Sequence, residues 1–115
     1  MLLVARTPFV FEAELELSDG TDPRAPGGAV TVALCGHWDH EGACRWPHHN
    51  ALAEPDAVGT SRLCTVAVAP DDERADVVRR AEAELRHDRR WTVREVRIRE
   101  PRGDEVELAR RLATL

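Results

Sequence analysis

Residues 8–17, PFVFEAELEL, alternate almost without fault: Phe9, Phe11, Ala13, Leu15 and Leu17 fall on one side, Glu12, Glu14 and Glu16 on the other. Successive side chains leave opposite faces of a pleat, so this period of two predicts a strand with one face in a core and one in water. Ser18 to Gly28 carries Asp19-Gly20, Pro23, Pro26 and Gly27-Gly28 and predicts a loop. A second strand is expected from Ala29 to about Trp38, with Val30, Val32 and Leu34 of one parity and Thr31, Ala33, Cys35 and His37 of the other.

Further along, Asp39 to about Thr60 shows no clean period, contains Gly42, Pro47, Pro55 and Gly59, and is long for a loop in a compact domain unless something organises it. Ser61 to Ala69 predicts a third strand with Cys64, Val66 and Val68 on one face, stopped by Pro70, after which Asp71 would cap a helix. From Asp72 to about His87, Ala75, Val78, Ala81 and Leu85 recur at helical spacing, with acids in the first turn and Arg86 and Arg89 at the end, as the helix dipole favours. Trp91 to Arg99 returns to a period of two.

The tail admits a hairpin through Pro101-Arg102-Gly103-Asp104 into Val106–Leu108. Asp104 with Glu107 three residues later reads instead as a capping box, and the helix formers from Glu105 to Leu115 decide for a helix to Ala113. The expected fold is thus a single α+β domain over residues 1–115, a mainly antiparallel sheet in the order βββαβ(α) with its helices on one face. Its 115 residues suit one domain, and 43 % hydrophobic content suits an ordinary core filled mostly by aliphatic side chains.

No window approaches the apolar length of a membrane span, and Met1 to Ala5 is too short, and lacks the basic start, for a signal peptide. The expected location is the cytoplasm. There three cysteines, an odd number, fit reduced thiols or metal ligands better than a disulfide framework. Every basic residue is arginine, a bias that points to a GC-rich, bacterial coding sequence. Residues 1–60 carry a net −6 and residues 61–115 a net +1, so neither half is a basic footprint for nucleic acid, which is not an expected partner.

The candidate site is CGHWDHEGACRWPHHN, residues 35–50, with four of the five histidines and two of the three cysteines. Its spacing, C-x-H-x2-H-x3-C-x3-H-H, offers Cys35, His37, His40, Cys44, His48 and His49 as donors. Thiolate and imidazole are the ligands zinc prefers, and a tetrahedral ion takes four of them, or three if a water remains. On the expected second strand, Cys35 and His37 would project from one face toward one ion. His37, His40 and Cys44 form the first-choice set, with Cys35, His48 or His49 completing it. Copper, nickel or iron would also accept these donors.

Trp38 and Trp46 are expected in the core or as a lid over the metal, and Asp39 and Glu41 as solvated acids. Cys64 reads as a small buried core residue and His87 as a cap at a helix end. Arg94, Arg97 and Arg99 are expected to pair with Glu12, Glu14 and Glu16 across neighbouring strands.

The function expected is a non-enzymatic zinc-binding domain whose ion organises the loop for a protein partner or for metal sensing. The alternative is a small zinc enzyme with an open coordination position, in which Glu41 or a spare histidine moves protons. Against it, the H-E-x-x-H helix signature is absent: His40-Glu41 leads through Gly42 and Ala43 to Cys44. A homodimer could form along the Phe9–Leu17 strand and the apolar Met1–Ala5 lead.

Overall fold

A computed structural model describes residues 6–36 and 45–115. Among these residues the chain forms β1 (Arg6–Leu17), α1 (Ala25–Cys35), β2 (His48–Leu52), β3 (Thr60–Pro70), a 3-10 turn (Asp71–Glu73), α2 (Arg74–His87), β4 (Trp91–Arg99) and α3 (Asp104–Ala113). The strands make one antiparallel sheet in the order β2-β3-β1-β4. The class is the expected α+β, but the order along the chain differs.

β1 behaves as its alternation predicts. Phe9, Phe11, Ala13 and Leu15 enter a core with Val30 and Leu34 of α1 and Val77, Ala81 and Leu85 of α2. The other face is not uniformly wet: α3 lays Ala109 and Leu112 over Val10, Val66 and Val68. The helices therefore cover both faces of the sheet, where a single face was expected. β1 lies inside the sheet between β3 and β4, so it is not the dimer edge its pattern suggested; Met1 to Ala5 lie outside the described residues.

Ala29 to Cys35 is helical, not a second strand. Pro26, Val30 and Leu34 are buried at four-residue spacing, the period of one helix face, while Val32 is 39 % exposed. Pro26, with its fixed φ, suits the first turn, where its missing N–H costs nothing. Gly27 brings the helix close to the sheet: a Cβ there would stand 3.0 Å from Asn50 Cβ. The expected loop from Asp39 to Thr60 holds a strand, β2, whose His48 to Leu52 pair with Leu63 to Ala67 of β3.

Gly36 ends α1 with φ +85°, and its N–H donates to the Val32 carbonyl at 2.8 Å. Among the described residues nothing lies within 4 Å of a Cβ built there, and the positive φ strains any side chain. Gly36→Ala should cost about 1 kcal/mol, read as a shift in the urea midpoint with the oxidation state held constant.

α2 forms where expected but turns a slightly different face inward, burying Val77 in place of Ala75. Asp71 does not cap it; its carboxylate accepts the Thr7 hydroxyl. Trp91 Nε1 donates to the Leu85 carbonyl at 2.9 Å, closing the helix's last turn. α3 replaces the hairpin alternative. Its N-cap is Gly103, without a side-chain cap, and Glu105 rather than Glu107 reaches back, accepting the Arg102 N–H at 3.1 Å.

Candidate functional site

The donor-rich segment leaves α1 at Cys35 and enters β2 at His48. Thr31 and Cys35 lie one turn apart along one side of α1. Thr31 Oγ1 stands 3.1 Å from His48 Nε2, so the end of the helix and the start of the strand are held side by side.

His48 is bound through both ring nitrogens. Nδ1 lies 2.9 Å from the Trp46 carbonyl, which can only accept, so this nitrogen carries the proton and Nε2 accepts from Thr31. Asn50 Nδ2 in turn donates to Thr31 Oγ1 at 3.1 Å and to the Gly27 carbonyl at 3.0 Å, and its Oδ1 accepts from buried Thr65 at 2.7 Å. This chain of bonds fastens α1 to β2 and β3. It makes His48 part of the architecture.

His49 is the next residue of the strand, so it leaves the opposite face, and it is exposed. His37, His40 and Cys44, with Trp38, Asp39 and Glu41, lie outside the described residues. Cys35 sits at the end of a helix, so the expected strand geometry that put it on one face with His37 does not apply. It is disulfide-bonded, which corrects the expectation of a reduced thiol; in this state its sulfur is not a thiolate donor. Cys64 is a free cysteine.

At the far end of the segment, Trp46 is buried. Its Nε1 donates to Glu73 Oε1 at 2.7 Å, and Arg45 and Arg80 lie over the ring at 4.7 and 5.5 Å from its centroid. The Pro47 carbonyl accepts the Val68 N–H at 3.1 Å. Residues 45–47 are thus tied to β3 and to the start of α2. Trp46 belongs to the core, one of the two uses expected of it. Its partner Glu73 had no mark in the sequence, since it lies 27 positions away.

On the sheet face that α3 partly covers, the acidic and basic stripes meet as expected. Arg94 pairs with Glu16, Arg97 with Glu14 at 3.0 Å, and Arg99 with Glu12 at 3.2 Å and Glu105 at 2.7 Å. Glu12 is buried, and burial alone would raise its pKa. The Arg99 guanidinium, the Cys64 S–H and the charge of Arg62 outweigh that and hold it below the usual carboxylate value. Cys64, half-buried, donates to Glu12 Oε2 at 3.5 Å. Burial first, then the Glu12 charge and hydrogen bond, push its thiol up, so it is a poor nucleophile.

Among the described residues no three His, Cys, Asp or Glu side chains converge on a point that could hold a metal. No helix among them is long and apolar enough to cross a membrane. No family model matches the chain, nor does any curated protein or solved structure.

Proposed function

We propose that the protein is a non-enzymatic zinc-binding domain whose ion is held by Cys35, His37, His40 and Cys44. What supports this reading is the placement of the two surplus histidines. His48 is engaged at both ring nitrogens, and His49 projects from the opposite face of β2. Of six candidate donors, that leaves two cysteines and two histidines within residues 35–44. Two sulfurs and two imidazoles close a tetrahedral ion and leave no position for a reacting water, which sets this reading apart from a zinc enzyme. On this reading the chain is one α+β domain, and the ion fixes the segment between α1 and β2 as a surface for a protein partner.

The ligand set applies to the reduced protein, in which Cys35 is a thiol. Tag-free protein reduced with a phosphine should contain about one equivalent of zinc. His40→Ala should lose the metal and His49→Ala should retain it. Loss in both variants would reject the ligand set, and a reduced native chain that neither contains nor takes up zinc would reject the function.

A further inference from the structure

The sheet ends at β4, so a row of backbone N–H and C=O groups on that strand faces away from β1. Among the described residues no hydrogen bond reaches that row. β4 contains no proline, and its arginines are drawn inward to Glu16, Glu14 and Glu12 rather than guarding the edge. The register shift between Glu14 and Leu15 takes Arg94 out of the ladder and leaves Glu95 to Arg99 as a regular stretch of five. Within it Ile98 pairs with core-facing Phe11 yet is 47 % exposed.

We infer that a second copy of this chain covers the edge, Glu95 to Arg99 of the two molecules pairing antiparallel about a two-fold axis at Arg97. Residues directly opposite in such a ladder share a face, so the axis must pass through a residue. With the axis at Arg97, Glu95 lies opposite Arg99 of the second copy and Val96 opposite its Ile98, each twice. Arg97 meets its own counterpart, but each guanidinium is held by Glu14 at 3.0 Å and Glu95 at 3.3 Å on its own chain.

The neighbouring registers are worse. An axis at Glu95 sets glutamate on glutamate, and one at Ile98 sets Arg97 against Arg99 twice. An axis at Val96 puts Ile98 across from Arg94, where the shift breaks the ladder. Self-pairing uses the same edge on both copies, so assembly stops at two, and five residues a side make a weak dimer. The dimer contact expected on β1 thus moves to β4. It does not rest on the zinc-binding reading, whose donor segment runs from α1 to β2, the opposite edge of the sheet.

Sedimentation equilibrium of the full, phosphine-reduced chain from micromolar to millimolar concentration tests this. The mass should rise from 12.8 kDa toward twice that value and level there. Amides within Glu95–Arg99 should gain hydrogen-exchange protection with concentration, and those of β2 should not. Ile98→Lys, at a half-exposed position, and Glu95→Arg, which opposes like charges twice, should each weaken association about tenfold or more. Val58→Lys, at a position 77 % exposed in the turn before β3, should leave it unchanged. Circular dichroism of dilute protein shows that each variant is folded, and either edge variant alone decides if the other is not. A mass of 12.8 kDa throughout, growth beyond two chains, protection gained at β2 instead of β4, or association unchanged in a folded edge variant would overturn the proposal.

Discussion

Replacing Trp46 by alanine is expected to lower the stability of the fold by about 3–5 kcal/mol, the cost of deleting a large aromatic side chain from a packed core. Trp46 is only 2 % exposed and packs with Phe9, Leu34 and Leu85 in one cluster. The deletion also takes from the Glu73 carboxylate the indole N–H it accepts, leaving it Arg45 at 3.1 Å, and removes the ring under Arg45 and Arg80. Because Trp46 follows the donor segment directly, its loss should also free that segment's exit from the start of α2. Trp46→Phe separates the two contributions: it keeps most of the buried area but loses the hydrogen bond, and should cost about 1–3 kcal/mol. Urea unfolding of both variants at fixed oxidation state checks this, and a loss below about 1 kcal/mol for the alanine variant would mean that the indole does not sit in the core.

The second large effect is expected at Glu12. With 4 % exposure it faces Arg99 and Cys64 beneath α3, and Arg99 Nε, 3.2 Å away but off the line of a hydrogen bond, has no other acceptor. Glu12→Gln leaves that guanidinium with Glu105 as its remaining close carboxylate. The expected loss is about 2–4 kcal/mol, below the full cost of an uncompensated buried charge because Glu105 remains.

The same pair predicts an acid limb. Glu12 and Glu105 are both held below their ordinary value of 4.5, so the folded state binds their protons less readily than the unfolded chain does. Their stabilisation is fully present above that ordinary value and is lost as pH falls through the lower, folded-state value. Thermal midpoints of the native chain should therefore drop on acidification below about pH 4.5, with a shallower slope in Glu12→Gln. Parallel slopes in the two proteins would show that Glu12 titrates alike in both states.

β1, β3, α2 and β4 could be read from the sequence because each carries the period of its element, and α3 because its helix formers outweighed the hairpin signal before it. α1 could not, for a physical reason. Its apolar residues, Ala29, Val30, Val32, Ala33 and Leu34, occupy both parities and most of the helix circumference, so neither period stands out and the β-branched pair Val30 and Val32 favours a strand. The signals that did mark a helix were Pro26 in its first turn and Gly36 past its end.

β2, His48-His49-Asn50-Ala51-Leu52, has too few apolar residues to alternate and is held by its ladder and by Asn50 and His48. The candidate donors were legible as a composition, but their sorting was not. His48 differs from His49 through a threonine 17 positions earlier and through the face of a strand that the sequence does not reveal. The pairing of Arg97 and Arg99 with the β1 glutamates was legible because both sets alternate on strands, whereas Arg94, of the opposite parity, reaches Glu16 at a register shift that the sequence did not mark.

The central claim, a closed zinc site built from residues 35–44 in the reduced protein, is tested most directly by X-ray absorption at the zinc edge of the reduced, tag-free chain. The account predicts two sulfur neighbours at about 2.3 Å and two nitrogen neighbours at about 2.0 Å. A shell dominated by oxygen, a shell without sulfur, or no bound zinc at all would contradict it.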